Sequence, residues 1–175
     1  MSKLKAFLSI VILSPIIAGL YGIIHDQITY TISPEYYTKF KFYQFGLMDP
    51  GNEAIFPHPR IEVSLVGFLA TWWFGLIIGI VLALTGLILK NGKQMFTTTI
   101  KAIGLAIIIT AVSGWTGYLY GKFYLTKTGV NWWLPDNLKD VDNFIAVGSM
   151  HNFSYLGGIL GMIAGILYII RNKKR

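Results

Sequence analysis

"VSLVGFLATWWFGLIIGIVLALTGLIL", residues 63–89, contains no charged side chain. Crossing a hydrocarbon core of about 30 Å takes roughly 20 apolar residues in a helix. This run supplies them, and it lacks the polar face that a helix on the surface of a soluble protein needs. Three further charge-free runs occupy 6–24, 102–121 and 143–170. The chain is 54% hydrophobic and only 13% charged, against about 25% charged in a usual soluble domain. The fold expected is an all-α membrane protein: one domain over 1–175, with transmembrane helices at 5–24, 63–89, 102–121 and 144–170.

The placement of charge sets an orientation. The net charge of +7 is concentrated beside helix ends: Lys3, Lys5, Lys90, Lys93, Lys101, Arg171, Lys173, Lys174 and Arg175 all fall on one side. Short basic segments stay in the cytoplasm, so both termini are expected there, with 25–62 and 122–142 outside. Topology accounts for the basic balance, and no nucleic-acid partner is implied. The bilayer is the expected partner, and the terminal RNKKR suits anchoring at anionic head groups. The chain has no cysteine, which removes disulfides and thiolate metal sites. The first apolar run is longer than a signal-peptide core and ends without an A-x-A-like site, so it reads as a retained helix.

Small residues mark packing faces. Gly75 and Gly79 form G-x-x-x-G, and Gly157, Gly161 and Gly165 repeat every four residues on the last helix. Such strips let backbones approach closely, either inside the monomer or in a homo- or hetero-oligomer. Trp72, Trp73, Trp115, Trp132 and Trp133 fall near the outer ends, as an aromatic belt would.

The outer segment 25–62 reads as a small folded cap. Tyr30 and Ile32 alternate with Thr29, Thr31 and Ser33, the period of a short strand. "SPEYYTKF" follows with helix-start signals: Ser33 as N-cap, Pro34 at N1 and Glu35 in the first turn. "KFKFYQF" alternates again, so strand, short helix and second strand are expected. A short amphipathic piece is expected at 136–142.

All eight acidic residues (Asp26, Glu35, Asp49, Glu53, Glu62, Asp136, Asp140, Asp142) and all three histidines lie on the outer side. His25 comes 20 residues after Lys5, and His151 comes 20 residues before Arg171. At 1.5 Å per residue both sit ~30 Å above the basic ring, level with Asp26 and Asn152. Ionisable groups at that depth are costly and often functional. One reading makes His25, Asp26, His151 and Asn152 a ligand site, with Glu35 and Glu62 as further carboxylates. His25, His151 and Asp26 would then suit a divalent metal such as Zn, Fe or Mn. The other reading is helix capping and ordinary bundle bonding. His58, between Pro57 and Pro59, sits in extended chain and is set aside. Thr110, Ser113 and Ser154 read as helix-packing hydroxyls, and no nucleophile–base pairing is visible.

"HDQITYTISPEYYTKFKF", with "LVGFLATWWFG", resembles segments of a group of bacterial membrane proteins. The resemblance is confined to those two stretches. It implies the bacterial inner membrane and brings no mechanism with it. Two functions follow from the residues: a ligand- or cation-binding membrane module or complex subunit, and a membrane enzyme, metal-dependent or not, acting on a lipid or small substrate at the outer leaflet.

Overall fold

The computed structural model describes residues 1–49 and 52–173. Four helices in it are long and apolar enough to cross a membrane. They are α1 (Lys3–Ile32), α2 (Pro59–Gly86), α3 (Gly92–Tyr120) and α4 (Val141–Asn172). Each is longer than the roughly 20 residues that a bilayer core requires. Lys3, Lys93 and Arg171 collect at one end of the bundle and the cap closes the other.

The bundle is built from two helix pairs. α1 packs along α2, and α3 packs along α4, with slighter contact across the seam between the pairs. Glycines permit each pairing. A Cβ on Gly22 would run into the Gly67 carbonyl, and one on Gly161 would stand 2.7 Å from Ala106 Cα. With backbones this close, Thr71 Oγ1 donates across to the Ala18 carbonyl at 2.9 Å. Gly157, Gly161 and Gly165 likewise meet the chain's own side chains and backbone: Ser113 and Thr110, Ala106, and Leu82 and Ala102. Their face is therefore filled inside the monomer.

The cap departs from the sequence expectation. Among the described residues it contains no strand. α1 runs on through Thr29 and Tyr30 to Ile32. After Ser33 the chain is helical again over Pro34–Tyr36, takes a π-turn over Tyr37–Lys41, and continues over Phe42–Gln44. Ser33, Pro34 and Glu35 do start this cap helix, although the Ser33 side chain makes no capping bond. Alternation in a short aromatic run fits a strand only if a neighbouring strand offers a ladder. None exists here, and burying the rings on the bundle decides the conformation. The wide turn, closed by Phe42 N–H donating to the Tyr37 carbonyl, swings Phe42 to the side of Tyr37. Their ring centroids lie 5.8 Å apart. Tyr36, Tyr37, Phe42, Val63, Val66, Phe144 and Val147 form the core beneath the cap.

Polar contacts fix the cap to the bundle. The Glu35 carboxylate accepts from the backbone N–H groups of Lys139 (2.9 Å) and Asp140 (2.8 Å) at the start of α4. Lys39 pairs with Glu35 at 2.8 Å and donates to the Asn137 carbonyl. Asp140, not an amphipathic helix at 136–142, leads into α4, and its side chain accepts from Asn143 N–H at 3.0 Å.

Candidate binding site at the cap end of the bundle

His25 and Asp26 come from α1, about one turn beyond Gly22, and His151 and Ser154 from α4. The cap helix adds Lys41. The structure brings His25, Asp26 and His151 together: one ligand atom from each lies within 4.8 Å of the others. The imidazole centroids are 4.7 Å apart with the rings nearly perpendicular. All four charged or imidazole side chains are buried.

Proton positions follow from the partners. His151 Nδ1 faces the Val147 carbonyl at 2.9 Å, and a carbonyl only accepts, so Nδ1 carries the hydrogen. In the neutral ring Nε2 then presents a lone pair, which accepts from Lys41 Nζ at 2.9 Å. Lys41 also donates to Asp26 Oδ2 at 2.6 Å. Asp26 Oδ1 stands 3.3 Å from both His151 Nε2 and His25 Nδ1. His25 Nε2 reaches Ser154 Oγ at 3.2 Å. The result is one continuous polar chain, Ser154–His25–Asp26–Lys41–His151.

Lys41 is the electrostatic centre of this chain. Burial pushes its ammonium below the ordinary lysine range, and the Asp26 carboxylate restores part of that loss. An ammonium carries three N–H donors. Two are taken, the Tyr37 ring lies 5.2 Å away, and the third has no oxygen or nitrogen partner among the described residues. Tyr37 is held in turn by a 2.6 Å hydrogen bond with Thr29. Burial pushes the Tyr36 and Tyr37 hydroxyls well above the ordinary tyrosine range, with the nearby Asp26 charge adding to it, so both stay protonated.

Two cavities meet at this point, on the seam between the helix pairs. The inner one, about 90 Å³, is walled by all four helices and is mostly apolar below its cap end, with Ser14, Thr71 and Thr110 as its hydroxyls there. Tyr21, His25, Lys41, His151 and Ser154 close that end. The outer one, about 330 Å³, lies between α2 and α4 under the cap helix, among Phe40, Gln44, Phe45, Trp73, Asn152 and Tyr155. Lys41, His151, Ala70 and Tyr155 border both. Tyr155 donates its hydroxyl to the Ala70 carbonyl at 3.0 Å and so bridges the seam between them.

The other sequence candidates lie apart from the cluster. Asn152 is exposed and lines only the outer cavity. Glu35 is spent on anchoring the cap. Glu62 sits in the first turn of α2, with a buried Oε2 that has no hydrogen-bond partner. His58 is not extended but stands exposed in a bend, as the residue that precedes α2. Two members were missed. Read as a strand, "KFKF" puts Lys41 on the polar face with Lys39, whereas the i, i+4 spacing from Tyr37 to Lys41 is the signal of its buried position. Ser154 had no local signal, since its partner is 129 positions away.

A divalent metal on His25, Asp26 and His151 would need the position that the Lys41 ammonium holds, 2.6 Å from the carboxylate and 2.9 Å from the imidazole lone pair. Lys41 and a divalent metal would compete for the same carboxylate and imidazole lone pair. No protein-family model, curated protein or solved structure matches the chain.

Proposed function

We propose that this protein is a multi-pass inner-membrane binding module, with its cap outside and its basic end in the cytoplasm. It holds the polar head of a single-chain amphiphile at Lys41 and His151, with the apolar part in the seam. The observation that carries the reading is the unspent Lys41 N–H on a wall shared by two cavities. A buried donor without a partner costs roughly 1–3 kcal/mol, which a ligand carbonyl, carboxylate or phosphate oxygen would recover. Five of the ten residues around the outer cavity are aromatic: Tyr36, Phe40, Phe45, Trp73 and Tyr155. They are suited to the flexible upper part of an acyl chain. The positive-inside distribution supports the orientation.

The test is photocrosslinking in lipid nanodiscs with a palmitate that carries a diazirine near its carboxylate. Crosslinks are expected at Trp73, Tyr155 or their neighbours, and excess unlabelled palmitate should suppress them. Crosslinks confined to lipid-facing residues such as Leu156 and Leu160, insensitive to competitor, would refute the proposal.

A further inference from the structure

Ser154, His25 and Asp26 stand in the order of a nucleophile, its base and the group that orients the base. Ser154 Oγ is 3.2 Å from His25 Nε2, and His25 Nδ1 is 3.3 Å from Asp26 Oδ1. This constellation is recognised by geometry and not by chain order, and its hydrogen bonds are commonly long before substrate arrives. We infer that Ser154 is a nucleophile that accepts the acyl group of a carboxylic ester carried by a membrane amphiphile.

Four observations support the assignment. First, among the described residues Ser14, Ser33, Ser149 and Ser154 are the buried serines, and Ser154 alone meets an imidazole. Second, the orienting group is itself fixed, since Lys41 holds Asp26 Oδ2 at 2.6 Å. With Asp26 taking a hydrogen from Nδ1, the Nε2 lone pair faces the serine. Ser154 then needs only to turn its hydrogen from the Met150 carbonyl, 2.9 Å away, toward His25. Third, Ser154 lines the inner cavity, where Ile17, Phe74, Ile78, Ile103 and Ile107 offer apolar wall that fits the first methylenes of an acyl chain. Fourth, two groups with donor hydrogens close the same end of that cavity: the Tyr21 hydroxyl and the unspent Lys41 N–H. Donors there suit a carbonyl oxygen that gains negative charge.

The step balances within the site. Ser154 Oγ attacks the ester carbon, and its proton passes to His25 Nε2. The new Oγ–C bond forms as the C–O bond to the alcohol breaks, and the leaving alkoxide takes the proton back from His25. Water or a second alcohol then removes the acyl group by the reverse sequence. The substrate's route relies on the amphiphile-binding reading, whereas the reactivity of Ser154 does not.

The experiment treats the protein in nanodiscs with an alkyl fluorophosphonate and reads the intact mass and the labelled peptide. The expected result is one adduct per chain on Ser154, with loss of fluoride, in folded protein and not after denaturation in SDS. Ser154→Ala should give none, and His25→Gln should slow labelling on the order of a hundredfold or more. Absence of a Ser154 adduct in the folded wild-type chain overturns the inference without recourse to any variant. Labelling of a folded His25→Gln at the wild-type rate overturns it equally. If palmitate still crosslinks while Ser154 stays unlabelled, only the nucleophile falls. If both fail, the binding reading falls with it.

Discussion

At the scale of single residues, Lys41 is the side chain on which the site turns. A buried ammonium is tolerable only with compensation, and removing one partner of a buried pair costs about 3–5 kcal/mol, because the other charge is left alone. Lys41→Met should therefore lower stability by about that amount, measured by unfolding in SDS. Asp26→Asn combined with Lys41→Met should cost clearly less than the sum of the single changes, with a coupling energy on the order of 1–3 kcal/mol. Additive losses would show that the 2.6 Å pair is absent in the membrane. The same assignment bears on metal. Wild-type protein should carry no stoichiometric transition metal by elemental analysis. Stoichiometric zinc that disappears in His151→Ala would contradict the place given to Lys41. His25, Asp26 and His151 were legible in the sequence because depth in a helix can be counted from its basic end. Lys41 and Ser154 were not. Which way a lysine in an aromatic run points depends on whether the run is helix or strand, and a helical serine shows nothing of a partner on another helix.

At the scale of elements, the cap helix owes its place to Glu35. Burial alone would push this carboxyl up, but Lys39 and the Lys139 and Asp140 N–H groups outweigh it, so Glu35 titrates below its ordinary 4.5. The folded value lies below the unfolded one, so Glu35 contributes stability above pH 4.5 that is lost as pH falls through the lowered value. Wild-type and Glu35→Gln proteins should thus differ in stability near neutral pH and converge in acid. A difference that persists unchanged in acid would remove Glu35 as the anchor. The seam and its flanking pairs make a second prediction. A Cβ on Gly161 meets Ala106 backbone, which cannot swing aside, whereas one on Gly104 meets nothing within 4 Å. Gly161→Leu should cost about 1–3 kcal/mol or more, and Gly104→Leu little. The four long helices were readable from charge-free length alone. The cap was not, because its alternating rings are compatible with both periods, and tertiary burial of Tyr37 and Phe42, with no partner strand, selects the helix.

At the scale of the whole molecule, two helix pairs meet along a seam, and the polar chain lies near the cap end of that seam. The chain has no cysteine, so single cysteines report topology cleanly. A membrane-impermeant maleimide applied to intact cells should label Glu53→Cys in the cap segment and spare Lys93→Cys at the basic end. The reverse pattern would invert the orientation. The claim that ties the scales together is that the seam receives an amphiphile by its polar head. It is tested most directly with Trp73, which borders the outer cavity, retained as the sole tryptophan after the other four are changed to Phe. In nanodiscs, palmitate brominated near its carboxylate should quench Trp73 along a saturable curve, displaced by unlabelled palmitate and not by hexadecane, which has no acceptor oxygen for Lys41. Quenching that rises linearly with the brominated lipid and ignores both competitors would mean that Trp73 meets only bulk bilayer and that the seam holds no ligand.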